Sequence, residues 1–173
     1  RCSARFSSRS SAGSSASSSS RFSYRYFCRS SSGSSPLAHT IAPSASPSLF
    51  FGPYDERERR HDKIRLRFYF HRDLAEQTDD YLRDSARYLT RYLNRIGPYP
   101  YKDFHVISAP IQVGLGFPNL TYIGRRIIPL PFIHARSLSH EVLHNWCGNG
   151  VRVDYRKGNW SEGLTTYMAD YAL

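Results

Sequence analysis

No lysine, aspartate or glutamate occurs in the first 48 residues, and the whole 173-residue chain holds only three cysteines. Each absence closes a class. Without about eighteen consecutive apolar residues, nothing in the sequence crosses a bilayer as a helix. Without a short apolar core near its start, nothing reads as a secretory signal. Cys2 and Cys28 fall in this opening segment and Cys147 stands far downstream, which is no disulfide framework and assigns no redox compartment.

Twenty serines and six arginines fill residues 1–48 instead. Such a segment buries too little apolar surface to offset its ordering entropy, so it is expected to be a disordered leader. All 14 acidic residues follow from Asp55 onward, against 18 of the 24 basic ones, so residues 49–173 carry +4 of the net +10. With Phe22, Tyr24 and Tyr26 among its arginines, the leader has the composition of an arm that contacts phosphates and stacks on bases. Its lack of acid also fits an organelle transit peptide, although no amphipathic pattern runs through it. No nucleic-acid partner is expected for the remainder.

Pro43, Pro47 and Pro53 punctuate the change to periodic sequence and put a boundary near residue 49. From Lys63, Ile64, Leu66, Phe68 and Phe70 alternate with Lys63, Arg65, Arg67 and Tyr69, the period of a half-buried strand. Asp73 with Glu76 suggests a capping-box start for a helix with Leu74, Tyr81, Leu82, Leu89, Leu93 and Ile96 on its apolar face, stopped by Gly97-Pro98. A strand over 104–108, a glycine-rich extended stretch over 113–124 and an apolar run at 127–130 follow. Strands first and helices later is the order of an α+β unit.

The chemistry concentrates at His140-Glu141-Val142-Leu143-His144. On a helix, residues four apart share a face, so two imidazoles can meet one cation while Glu141 points at a ligand on it. Chance placement of this composition produces the spacing in about one chain in a hundred, so the motif needs support. Glu162 supplies it. Ser161-Glu162 opens a second helical pattern carrying Leu164, Tyr167, Met168 and Tyr171, and a carboxylate in a first turn is favoured as the anion a metal ligand must be. Asp154, in the intervening loop, competes with a weaker positional argument. Cys147 reads as a buried thiol, Trp146 and Trp160 as core or cleft-wall aromatics, and Arg125-Arg126 as a solvated pair. His61, His71, His105 and His134 have no partner at metal spacing. Two histidines, a carboxylate and an open position suit one zinc ion.

The stretch "HEVLHNWCGNGVRVDYRKGNWSEGLTTYMADY", with "GPYPYKDFHVISAP" upstream at 97–110, resembles the zinc aminopeptidases of the aminopeptidase N type, within the gluzincin clan. The likeness runs from about residue 51 to 173. It implies a partial thermolysin-like catalytic domain over 49–173, a small mixed sheet with zinc-binding helices, behind the disordered leader. It implies His140, His144 and Glu162 as zinc ligands, Glu141 as general base, and a peptide as substrate, with Gly114, Gly116, Phe117 and Asn119 as its contacts. It leans toward an exported or membrane-associated enzyme.

Three departures shape the expectation. Seventeen residues separate His144 from Glu162 where the family usually has eighteen. Where the family carries G-A-M-E-N, Gly116-Phe117-Pro118-Asn119 has no acid to hold a substrate's amino terminus. The family's transition-state tyrosine falls beyond Leu173, so the piece is expected to bind zinc at most, while the intact parent hydrolyses peptide bonds. The alternative is a non-catalytic zinc- or peptide-binding module on the same scaffold.

Overall fold

The structure, a computed structural model, describes residues 39–40, 48–50 and 52–171. The expected disordered leader lies outside these residues, apart from a two-residue ribbon in which β1 (His39–Thr40) pairs antiparallel with β2 (Ser48–Leu49). Contacts divide the chain into Arg1–Pro53 and Tyr54–Leu173, and the candidate site lies in the second unit.

That unit is α+β. A five-stranded sheet is ordered β3 (Tyr54–His61), β4 (Ile64–His71), β5 (Asp103–Ala109), β7 (Leu120–Gly124) and β6 (Gly114–Phe117). The outer pairs are antiparallel and the inner pairs parallel, which makes the sheet mixed. The alternation read in β4 holds for Ile64, Leu66, Phe68 and Phe70, which are buried, but fails at Tyr69, expected on the other face and buried as well because β4 lies inside the sheet. β5 is buried along both faces from Phe104 onward, which explains its short, nearly unbroken apolar run. The stretch 113–124 contains a hairpin, β6 turning into β7 through Pro118-Asn119, with Asn119 at a left-handed φ of 57°.

Between β4 and β5 runs α1 (Ala75–Arg95), the crossover that parallel strands require. The expected capping box does not form. Asp73 sits inside a 3-10 turn, Arg72–Leu74, and its carboxylate pairs with Arg125 at 2.9 Å instead. Ile96, expected on the apolar face, lies just past the helix end and is exposed, while Leu74, Tyr81, Leu82 and Leu89 are buried as read. Gly97 then reverses the chain at φ 130°.

α1 also carries three tyrosines whose hydroxyls act beyond the sheet. Tyr81 donates to the carbonyl of Ile128 at 3.1 Å, and Tyr88 to that of Ala135 at 2.7 Å. The Tyr92 hydroxyl lies 2.7 Å from Ser139 Oγ. These contacts support the segment leading into α2 (Leu138–Leu143), which is entered through wide π-type turns at Ile133–Ser137. Leu138, Val142 and Leu143 join Leu66, Phe68, Phe104 and Val106 in one core. Beyond α2, a short parallel pair, β8 (Cys147–Gly148) with β9 (Val151–Arg152), leads to α3 (Trp160–Thr166), continued by wide turns at Tyr167–Tyr171. No helix among the described residues is long and apolar enough to cross a membrane.

Candidate metal centre

His140 stands in α2 and His144 caps its end, still within helical geometry, so the four-residue spacing puts both rings on one side. Their planes meet nearly edge to face and their Nε2 atoms are 3.0 Å apart. Glu162, in the first turn of α3, reaches the same point: one carboxylate oxygen is 3.3 Å from His140 Nε2 and the other 3.4 Å from His144 Nε2. Among the described residues these three are the group able to hold a metal ion.

The spacing can be tested against an ion. Four donors around zinc at about 2.0–2.1 Å stand about 3.3–3.4 Å apart; the two Nε2 atoms are closer than that, at 3.0 Å, and each imidazole faces a different oxygen of Glu162, with one donor atom from each residue within 4.8 Å of the others. The donor chemistry agrees. His144 Nδ1 lies 3.0 Å from the carbonyl of Cys147, a contact only an N–H can make favourable, which in the neutral tautomer leaves the Nε2 lone pair facing the centre. Burial, with His144 beside it, holds the His140 imidazole below its ordinary pKa and therefore neutral at pH 7. The two histidine side chains are only 22% and 12% exposed, whereas Glu162 is 61% exposed, leaving the centre open on the α3 side. The donor set is of the kind that could hold a metal ion such as zinc.

Glu141 faces the sheet. Ideal Cβ atoms built on Gly114 and Gly116 would stand 2.9 Å from its Oε1 and Oε2 respectively, so β6 lies directly against the carboxylate, and only hydrogen side chains leave room. Burial, with Glu162 acting the same way, pushes the carboxyl up to about 7. A dication beside it would favour the carboxylate form again. A cavity of about 390 Å³ opens next to His140 and Glu141, walled by Phe132, Arg136, Ser137 and Asp170.

No family model and no curated protein matches the chain.

The remaining substrate-contact candidates part company. Gly114 and Gly116 meet Glu141, as described. Phe117, on the opposite face of β6, packs its ring on Tyr122 at 5.7 Å, and Asn119 is buried in the hairpin turn. Asp154 stays out of the centre, accepting from the Arg156 backbone at 3.2 Å and its guanidinium at 3.0 Å. Arg125 is the partner of Asp73, and His134 that of Asp84 at 2.7 Å. Trp146 is buried, its indole N–H donating to Pro98, while Trp160 is partly exposed. Cys147 is buried, and its carbonyl accepts from both His144 and the Ser161 hydroxyl, the latter at 2.9 Å. That shared carbonyl ties the two ligand-bearing helices together. Sequence reading missed it because a backbone acceptor leaves no mark in side-chain spacing.

Proposed function

We propose that this chain carries the zinc-binding part of a metallopeptidase of the aminopeptidase N type, on a thermolysin-like arrangement of sheet and helices. The observation that carries the reading is the convergence of His140, His144 and Glu162, one donor atom of each within 4.8 Å of the others, with Glu141 beside them and turned toward a bare strand edge. A bound zinc ion supplies acidity to a water molecule and polarises a carbonyl.

The protein's own residues do the rest. Glu141 accepts the proton from the attacking water and passes it toward the departing amine, a role suited to a carboxylate held out of bulk solvent. β6 bonds to β7 along one side only, so its other side offers backbone N–H and C=O groups to an extended peptide. Gly114 and Gly116 let that peptide's path come close to Glu141. His144 is kept in one tautomer by the Cys147 carbonyl, which prevents its proton from competing for the centre. The second reading, a module that holds zinc or peptide without hydrolysis, is favoured by the absence of any acid from residues 113–124; the buried Glu141, which a purely structural site does not need, weighs against it.

Zinc stoichiometry tests the centre. The chain should take up one equivalent, His140→Ala should lose it, and retention of zinc by His140→Ala would sink the reading. Glu141→Gln should keep the metal, while any turnover of a peptide falls by about 10²–10⁴-fold. Turnover unchanged by that substitution would remove Glu141 from the mechanism.

A further inference from the structure

Asn145 follows the second histidine directly, and its side chain is used completely. It is 1% exposed. Its Oδ1 accepts from the Asn119 backbone N–H at 2.9 Å and faces the Tyr99 hydroxyl at 3.2 Å. Its Nδ2 donates to the carbonyl of Val142 at 2.9 Å, with that of Glu141 at 3.5 Å. One end of the amide therefore grips the close of α2, adding to the backbone N–H bonds that the Val142 carbonyl already accepts, and the other grips the turn of the β6–β7 hairpin. Asn119 is itself anchored on the sheet, since its carbonyl accepts from His105 N–H at 2.8 Å.

The two parts joined in this way are the two that must be held at a set separation. β6 approaches Glu141 so closely that a Cβ at Gly114 or Gly116 would stand 2.9 Å from a carboxylate oxygen, and the carboxylate would have to turn away from its present place to admit it. An error of a few tenths of an ångström would either press the strand onto Glu141 or draw it away. Hydrophobic contact is a poor ruler for such a gap because it has no preferred direction, whereas a planar amide bonded at both ends has a fixed length and orientation. We infer that Asn145 is a positioning residue that sets the gap between the β6 edge and Glu141, and so the depth at which an extended peptide lies beside the metal centre. This rests on the peptidase reading above for its consequence, although the coupling of hairpin to helix stands on the geometry alone.

Asn145→Ala separates this role from simple support of the helix. Four readouts apply: zinc affinity by competition with a chromophoric chelator, binding of tetra-alanine to the zinc-loaded chain, hydrogen exchange at the Asn119 amide, and the Gly114 and Gly116 amide resonances. The substitution should raise the tetra-alanine Kd about tenfold and leave zinc affinity within about threefold. It should also speed Asn119 exchange at least about tenfold and shift both glycine resonances. Should Asn145→Ala fail to fold, Asn145→Ser, whose hydroxyl cannot span both ends, is expected to give the same split. Unmoved glycine resonances with unchanged peptide binding would overturn the inference. So would zinc and peptide affinities falling by the same factor, which is the mark of general damage to α2. If the unaltered chain takes up neither zinc nor tetra-alanine, the peptidase reading fails by itself, while Asn119 exchange and the glycine resonances still decide the role of Asn145.

Discussion

The sheet has two edges, and they are built on opposite principles. β3 is lined with charge: Glu56, Arg57, Glu58, Arg59 and Arg60 are all exposed, and Arg67 on the neighbouring strand bonds Glu58 at 2.8 Å. Charge of this density discourages another strand from pairing there. β6 reads Gly-Leu-Gly-Phe, with nothing charged, and its glycines lie on Glu141. An uncharged edge is a liability for a soluble sheet. It lies beside the one group among the described residues that could hold a metal ion, which is the contrast the proposed function rests on.

Acid should produce the largest effect, and it bypasses both edges. His105 lies buried on the central strand, its ring stacked on Tyr69 at 6.1 Å, and burial depresses its pKa from 6.5 to about 4. A depressed folded-state value means that the unfolded chain binds the proton more readily. The contribution is thus complete above about pH 6.5 and is lost as pH falls through about 4, amounting to about 3 kcal/mol. Glu141, raised to about 7, acts in the opposite sense over this range in both proteins, so the test is a signed difference: from pH 7 to pH 4 the urea midpoint of the unaltered protein should move downward relative to that of His105→Gln. An equal loss in both would show that the edges and their carboxylates, and not the centre of the sheet, govern acid unfolding.

Gly116→Val sharpens the contrast next. Its first carbon would enter 2.9 Å from Glu141 Oε2 and 3.3 Å from His144 Cβ, so a cost of about 1–3 kcal/mol is expected in urea unfolding, together with weaker zinc binding. A neutral result in both stability and zinc binding would mean that β6 or the Glu141 carboxylate gives way freely, and that the close approach of strand and carboxylate does not constrain the site. The smallest effect belongs to the opposite edge. Glu58→Gln removes an exposed ion pair and should change stability by about 0.5 kcal/mol or less, with the difference vanishing at high salt.

The same contrast explains what could be read without coordinates. β4 is legible because one face is fully buried while the other, Tyr69 apart, is only partly so, and hydrophobicity alternates along it. α1 was legible from its 3.6-residue period, and α2 and α3 from the ligand spacing they carry. β3 was not legible. Exposed along most of its length, it has no buried face to impose a pattern, and its charges resemble those of a loop. Asp73 and Glu76 resemble a cap only locally, because Arg125, 52 residues away in sequence, claims the aspartate. Asn145 carries no signal of its role in the sequence. Its partners at 99 and 119 are brought to it by the fold, and no local spacing encodes them. Glu162 was found because a helix start is a local feature, whereas the Cys147 carbonyl that links its helix to His144 is not.

The wide turns at Ile133–Ser137 carry a consequence for how this chain tolerates change. A π-type turn is an α-helix with one residue too many, and here Tyr88 supports the loosened carbonyls of His134 and Ala135 from α1. Removing that residue would restore regular winding, but it would swing everything before it by about 100° relative to the histidines. Ile128, His134 and Ala135 would then miss their tyrosines. In the stretch from 128 to 139 it is length, more than composition, that should resist alteration: substitutions at its exposed positions ought to be borne easily, while a single-residue insertion or deletion ought not.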